Sequence, residues 1–127
     1  MTGKECLQEV NFVLIMIEQA EAELAFYRKG ISKGLKFHAK VVELKNDIKC
    51  LTAFKNAVIK EIQKIKNPLY RDILYKHYCE DKDLKTVSIE IKKPYEYTRY
   101  YLHPAAINEF EKIHDTALVF DRGIESY

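Results

Sequence analysis

The 127 residues carry 21 Lys and Arg against 19 Asp and Glu, a formal charge of +2, and 47% of them are apolar. That is the composition of a folded globular chain rather than a disordered one, and four Gly with three Pro are too few for a many-turned β fold. The longest apolar run, Phe12 to Ile17, falls far short of the ~20 residues that cross a bilayer. Glu18, Glu21 and Glu23 follow it where a secretory signal would place a cleavage site. The chain is therefore expected to be cytoplasmic, with no membrane partner.

Gly and Pro divide the chain. None falls between Gly3 and Gly30, or between Gly34 and Pro68, and both stretches read as long helices. In the first, Cys6, Val10, Val13, Ile17, Ala20, Leu24 and Tyr27 alternate steps of four and three, the seam of a helix packed lengthwise on a partner. The second repeats the pattern with Phe37, Val41, Leu44, Ile48, Leu51, Val58, Ile62 and Ile65, interrupted at Lys55 with Phe54 beside the gap. A connector at residues 28–36 folds the two into an antiparallel hairpin. The Phe12 to Ile17 run is apolar all round and must meet a second surface, either the C-terminal half or another subunit; a homodimer contact is the preferred expectation.

Asn67-Pro68 predicts a helix start, an N-cap followed by proline, with Leu69, Ile73, Leu74 and His77 or Tyr78 turned inward. After the polar turn Glu80-Asp81-Lys82-Asp83, Asp83 caps a short helix over residues 84–91 with Leu84, Val87, Ser88 and Ile91 inward. Pro94 opens a further helix, expected to kink or restart at Pro104. The helix after it has Ile107, Phe110 and Ile113 as its stripe. The predicted fold is all-α: an N-terminal antiparallel long-helix hairpin (1–66) serving dimerisation or interaction, a helix-turn-helix bundle (67–115) and a C-terminal tail (116–127) carrying Leu118-Val119-Phe120.

Three ordered matches carry a family resemblance. They are Tyr70-Arg71-Asp72-Ile73-Leu74-Tyr75-Lys76-His77-Tyr78, then Leu84, Val87-Ser88 and Ile91, then Leu102-His103, Ala106-Ile107 and Phe110. Together they resemble the DNA-binding part of the phage and prophage RinA/ArpU-type transcriptional regulators, which is similar to sigma-factor region 4. Pro104-Ala105 departs from the basic or glycine residue the family often has after the histidine. The resemblance implies sequence-specific binding to double-stranded DNA through a recognition helix in the major groove. On this reading Tyr95, Glu96, Arg99 and Tyr97 or Tyr100 face base edges, while Lys82, Lys85, Lys92 and Lys93 contact phosphates.

Other readings of the same residues stand beside this one. The tyrosines would fill or edge a small core, and Arg99 would pair with Glu96. A helical adaptor for RNA polymerase or another regulator, with little DNA affinity of its own, fits the modest charge of this segment and Glu96. Cys6, Cys50 and Cys79 form no CxxC pair and read as reduced thiols in apolar helix faces. The histidines lack a second ligand at metal-binding spacing, and neither a phosphate loop nor a nucleophile elbow is present, so no enzyme activity, metal or cofactor is expected.

The near-neutral total is a cancellation. Residues 1–27 hold 1 basic and 5 acidic groups, residues 28–66 hold 11 and 3, residues 67–103 hold 7 and 6, and residues 104–127 hold 2 and 5. The largest positive block, with Lys33, Lys36, Lys40, Lys45, Lys49, Lys60 and Lys64, therefore lies on the second helix. That face is either solvated, paired with the acidic first helix, or able to steer DNA.

Overall fold

A computed structural model describes residues 1–29 and 35–115, all of whose regular structure is helical. The expected connector around Gly30 and Gly34, the side chain of Phe37, and the tail with Leu118, Val119 and Phe120 lie outside the described residues. Helix α1 spans Gly3–Lys29 and α2 spans Leu35–Gln63. Both are as long as the absence of Gly and Pro implies. The start of α1 is a capping box: the Glu5 amide donates to Thr2 Oγ1 at 3.1 Å and the Thr2 amide to Glu5 Oε1 at 3.0 Å.

The two seams meet antiparallel. Ala20 and Leu24 late in α1 share a cluster with Leu44 early in α2, whereas Cys6, Leu7, Val10 and Val13 cluster with Leu51, Phe54, Val58 and Ile62. Phe54 carries the α2 seam past Lys55, resolving the apparent interruption. A salt bridge from Lys40 to Glu23, 3.6 Å long, crosses the hairpin.

The C-terminal half packs on one end of this hairpin. Helix α3 (Pro68–Leu74) begins where Asn67 accepts a hydrogen bond from the Leu69 amide at 2.9 Å, with Pro68 supplying no orphan N–H. It runs directly into a π-helical turn, Tyr75–Cys79. Helix α4 (Leu84–Glu90) is capped by Asp83, which accepts from the Thr86 amide at 2.7 Å. Pro94 is the N-cap of the next helix rather than its first residue, and α5 (Tyr95–Tyr97) passes through a second π-turn, Thr98–Leu102, into α6 (His103–Ile113).

The second π-turn is how the chain accommodates Pro104. A proline in an unbroken α-helix would crowd the carbonyl four residues back and leave it without a donor. Here the His103 amide instead reaches Thr98 O, one residue further, and α-helical geometry resumes with Pro104 in the first turn. The restart expected at Pro104 therefore takes the form of a widened turn.

The main core is shared by both halves of the chain. Leu74, Tyr78, Ala106 and Phe110 join the α1–α2 cluster, and Leu14, Met16 and Ile17 pack against it. Much of the all-round apolar run is thus covered within the chain, leaving Phe12 and Ile15 exposed on α1. A smaller cluster of Ile73, Val87 and Leu102, flanked by Leu69, Tyr70 and Ile91, ties the last helices together.

Candidate nucleic-acid interface

Helices α4 and α5 are joined by a four-residue turn, residues 91–94. It is closed as a Schellman motif: the Lys93 amide donates to Ser88 O at 3.0 Å and the Lys92 amide to Ile89 O at 3.2 Å. Lys92 sits at the left-handed position with φ 61°. Glycine is the usual occupant there because it has no Cβ to crowd the backbone. Beneath the turn, Val87 of α4 meets Ile73 of α3 and Leu102 of the second π-turn. This cluster ties the last helical segment to the two helices before it.

The segment following the turn presents its polar and aromatic groups outward. Thr98 is fully buried and returns its hydroxyl to Pro94 O at 3.0 Å, and Leu102 points into the small core. Tyr95, Glu96, Tyr97, Arg99, Tyr100 and Tyr101 are all exposed. The tyrosines therefore do not fill a core: Tyr100 retains 61% of its surface and Tyr101 67%. Arg99 makes no ion pair with Glu96 among the described residues; its guanidinium lies 5.2 Å from the Tyr100 ring centre, a cation–π contact. The Tyr97 and Tyr101 rings pack 5.7 Å apart, one helical turn from each other.

Of the four lysines expected at phosphates, Lys85, Lys92 and Lys93 are exposed. Lys82 is different. It is bound by Glu90 at 2.9 Å and Glu80 at 3.4 Å, while Lys76 reaches the same Glu90 oxygen at 2.9 Å. The hydrogen bond to Glu90 and the two carboxylates hold the Lys82 ammonium charged, and the pair with Glu90 links α4 to the preceding turn.

Two constellations escaped sequence reasoning because their members meet only in three dimensions. In the first, an open cleft of ≈ 760 Å³ lies between α1, the first π-turn and α6. His77 donates from Nδ1 to Lys82 O at 2.7 Å, and the Tyr78 hydroxyl and His103 Nε2 share a hydrogen bond of 2.8 Å. Burial, helped by the nearby His77 and Lys4, pushes the His103 pKa down to about 4, and burial lifts that of Tyr78 to about 12. Asn11 lines the same cleft, and its buried Oδ1 has no hydrogen-bond partner among the described residues.

The second constellation is a buried knot. His114 Nδ1 bonds Glu61 Oε1 at 2.9 Å, the Asp115 amide donates to Glu61 Oε2 at 2.8 Å, and His114 Nε2 bonds Met1 O at 2.8 Å. Enclosure opposes charging the ring, but the bonds to Glu61 and Met1 outweigh it and raise the His114 pKa. Cys6 Sγ lies 3.7 Å from His114 Nε2, so thiol, imidazole and carboxylate stand in sequence. The thiol is nevertheless wholly enclosed and burial pushes its pKa to about 11, which makes it a poor nucleophile. Cys79 is likewise raised to about 11 by burial, whereas Cys50 faces solvent rather than the apolar seam expected of it.

No helix among the described residues is long and apolar enough to cross a membrane. No family model, curated protein or solved structure matches this chain.

Proposed function

We propose that the chain is a sequence-specific DNA-binding transcriptional regulator of phage or prophage type, acting in the cytoplasm. The observation that carries this reading is the exposed row Tyr95, Glu96, Tyr97, Arg99 and Tyr100 at the start of a helix braced by Ile73, Val87 and Leu102. Laid in the major groove, Arg99 bridges a guanine through two hydrogen bonds, an interaction of about 1–3 kcal/mol in discrimination. Lys85, Lys92 and Lys93 contact flanking phosphates and supply affinity. An anisotropy titration against phage promoter DNA tests this. Arg99→Ala lowers preference for the cognate sequence, and Lys93→Ala weakens all sequences and flattens the salt dependence. Absent or salt-insensitive binding, unchanged by either substitution, refutes it.

The rival reading is an adaptor that contacts RNA polymerase or another regulator. It draws on the exposed tyrosines, residues typical of protein-binding hot spots, and on Glu96 beside Arg99. In that case Tyr100→Ala abolishes capture of polymerase while leaving any DNA affinity intact. The homodimer belongs to the same proposal, with Phe12 and Ile15 as the exposed members of the Phe12 to Ile17 run that a second copy would cover. A strict monomer by light scattering at micromolar concentration removes it.

A further inference from the structure

The apolar seam of α2 is used up against α1, with Leu44, Leu51 and Val58 buried. On the opposite side the helix exposes Lys45, Asn46, Lys49, Asn56, Lys60 and Gln63, continued past its end by Lys64. At 100° per residue these positions share one face, and no carboxylate falls on it. The three acids of α2 are elsewhere. Glu43 pairs with Lys40 at 3.9 Å, Glu61 is buried in the His114 knot, and Asp47 is two residues from both Lys45 and Lys49, a spacing that turns it away from them. No salt bridge among the described residues engages Lys45, Lys49, Lys60 or Lys64.

A face of this kind costs helix stability, because like charges one turn apart, as at 45/49 and 60/64, repel by roughly 0.2–0.5 kcal/mol per pair. An ordinary solvated face relieves that repulsion by interleaving both signs. This one interleaves neutral amides, which donate and accept hydrogen bonds without cancelling charge. Lys45 to Lys60 spans roughly 22 Å of helix, a length comparable to several successive phosphates of a nucleic-acid strand. A lipid surface fits less well, since membrane-bound amphipathic helices bury an apolar face and that of α2 is already occupied.

We propose that this lysine–amide face of α2 is a second nucleic-acid contact, a phosphate-backbone tract that supplies sequence-independent affinity. It rests on the DNA-binding reading above and divides the labour: α2 provides the attraction that the nearly neutral helix-turn-helix lacks, and the segment after Pro94 provides the choice of sequence.

The test compares the full-length protein with a variant carrying Lys45→Ala, Lys49→Ala, Lys60→Ala and Lys64→Ala, whose unchanged circular dichroism melt certifies folding. Binding to a promoter duplex and to a scrambled duplex is titrated between about 50 and 200 mM salt, where each lost phosphate contact lowers the log–log slope by about 0.9. The expected result is a slope shallower by about 3–4, with the promoter-to-scrambled ratio unchanged. An unchanged slope beside an intact Arg99→Ala effect overturns the α2 tract and leaves the regulator reading standing. A flattened slope with no Arg99→Ala effect supports the tract and overturns base reading by α5. Loss of binding to phosphatidylserine vesicles, with duplex binding unaltered, overturns the tract in favour of a membrane.

Discussion

Lys92 offers a substitution whose effects on folding and on DNA binding run in opposite directions. Its φ of 61° is forced by the Schellman closure of α4 and costs an L-residue about 1–2 kcal/mol. Lys92→Gly removes that cost but adds about 0.4–1 kcal/mol of backbone freedom to the unfolded chain. The net expectation is a gain of about 0.5–1 kcal/mol, or roughly 2–4 °C in Tm for a chain of this size. Lys92→Ala is the control: it removes the same ammonium and keeps the strained backbone, so its stability should match the parent. On the proposed DNA-binding reading each variant gives up one phosphate contact, and the salt slope of DNA binding should fall by about 0.9 in both. Calorimetry and anisotropy on the three proteins read the two effects separately. Equal Tm values for the Gly and Ala variants refute the backbone argument. An unaltered slope in both removes Lys92 from the interface.

Three further outcomes follow from the packing and the titrating groups. A Cβ at Gly3 would lie 2.8 Å from a Phe110 ring carbon and from Glu111 Oε1; the carboxylate swings aside but the buried ring does not, so Gly3→Ala should lower stability by about 1–3 kcal/mol in a urea melt. Asp83→Ala removes the α4 cap and should cost about 1 kcal/mol by the same measurement, with Asp83→Asn largely sparing it. The folded His103 pKa of about 4 lies below its ordinary 6.5, so the unfolded chain takes up the proton first and the stabilisation, complete above 6.5, drains away as the pH falls through 4. Allowing for the ring's partial exposure this amounts to about 1–2 kcal/mol, and His103→Gln should flatten the stability profile over that interval relative to the parent.

Helix existence and seam were legible because both rest on local rules. The Gly-free stretches set the lengths of α1 and α2, Asn67 and Asp83 cap as their chemistry dictates, and steps of three and four marked Val10, Val13, Leu44 and Val58 for the core. The Thr2–Glu5 box is an equally local signal. What stayed hidden depends on distance along the chain. His77 meets His103 across 26 residues of the C-terminal half, and His114 meets Glu61 and Met1 only after the two halves have packed. The π-turns were invisible for a related reason, since Pro104 announces an interruption without saying whether the helix bends or widens. At the candidate interface, deciding between core and surface for Tyr97, Tyr100 and Tyr101 required knowing that Thr98 and Leu102 take the inward positions.

The contact between the first turn of α1 and the last turns of α6 also has a kinetic meaning. Cys6, Leu7 and Val10 share a core with Ala106 and Phe110, so that core closes only when nearly the whole described chain is available. The Ala20–Leu24–Leu44 cluster needs only the first two helices, whereas this part of the core carries the loop-closure cost of the intervening chain. The Ile73–Val87–Leu102 cluster joins residues much nearer in sequence and so forms with a smaller loop-closure cost. A truncation that removes α6 would leave the N-terminal hairpin without the surface it waits for.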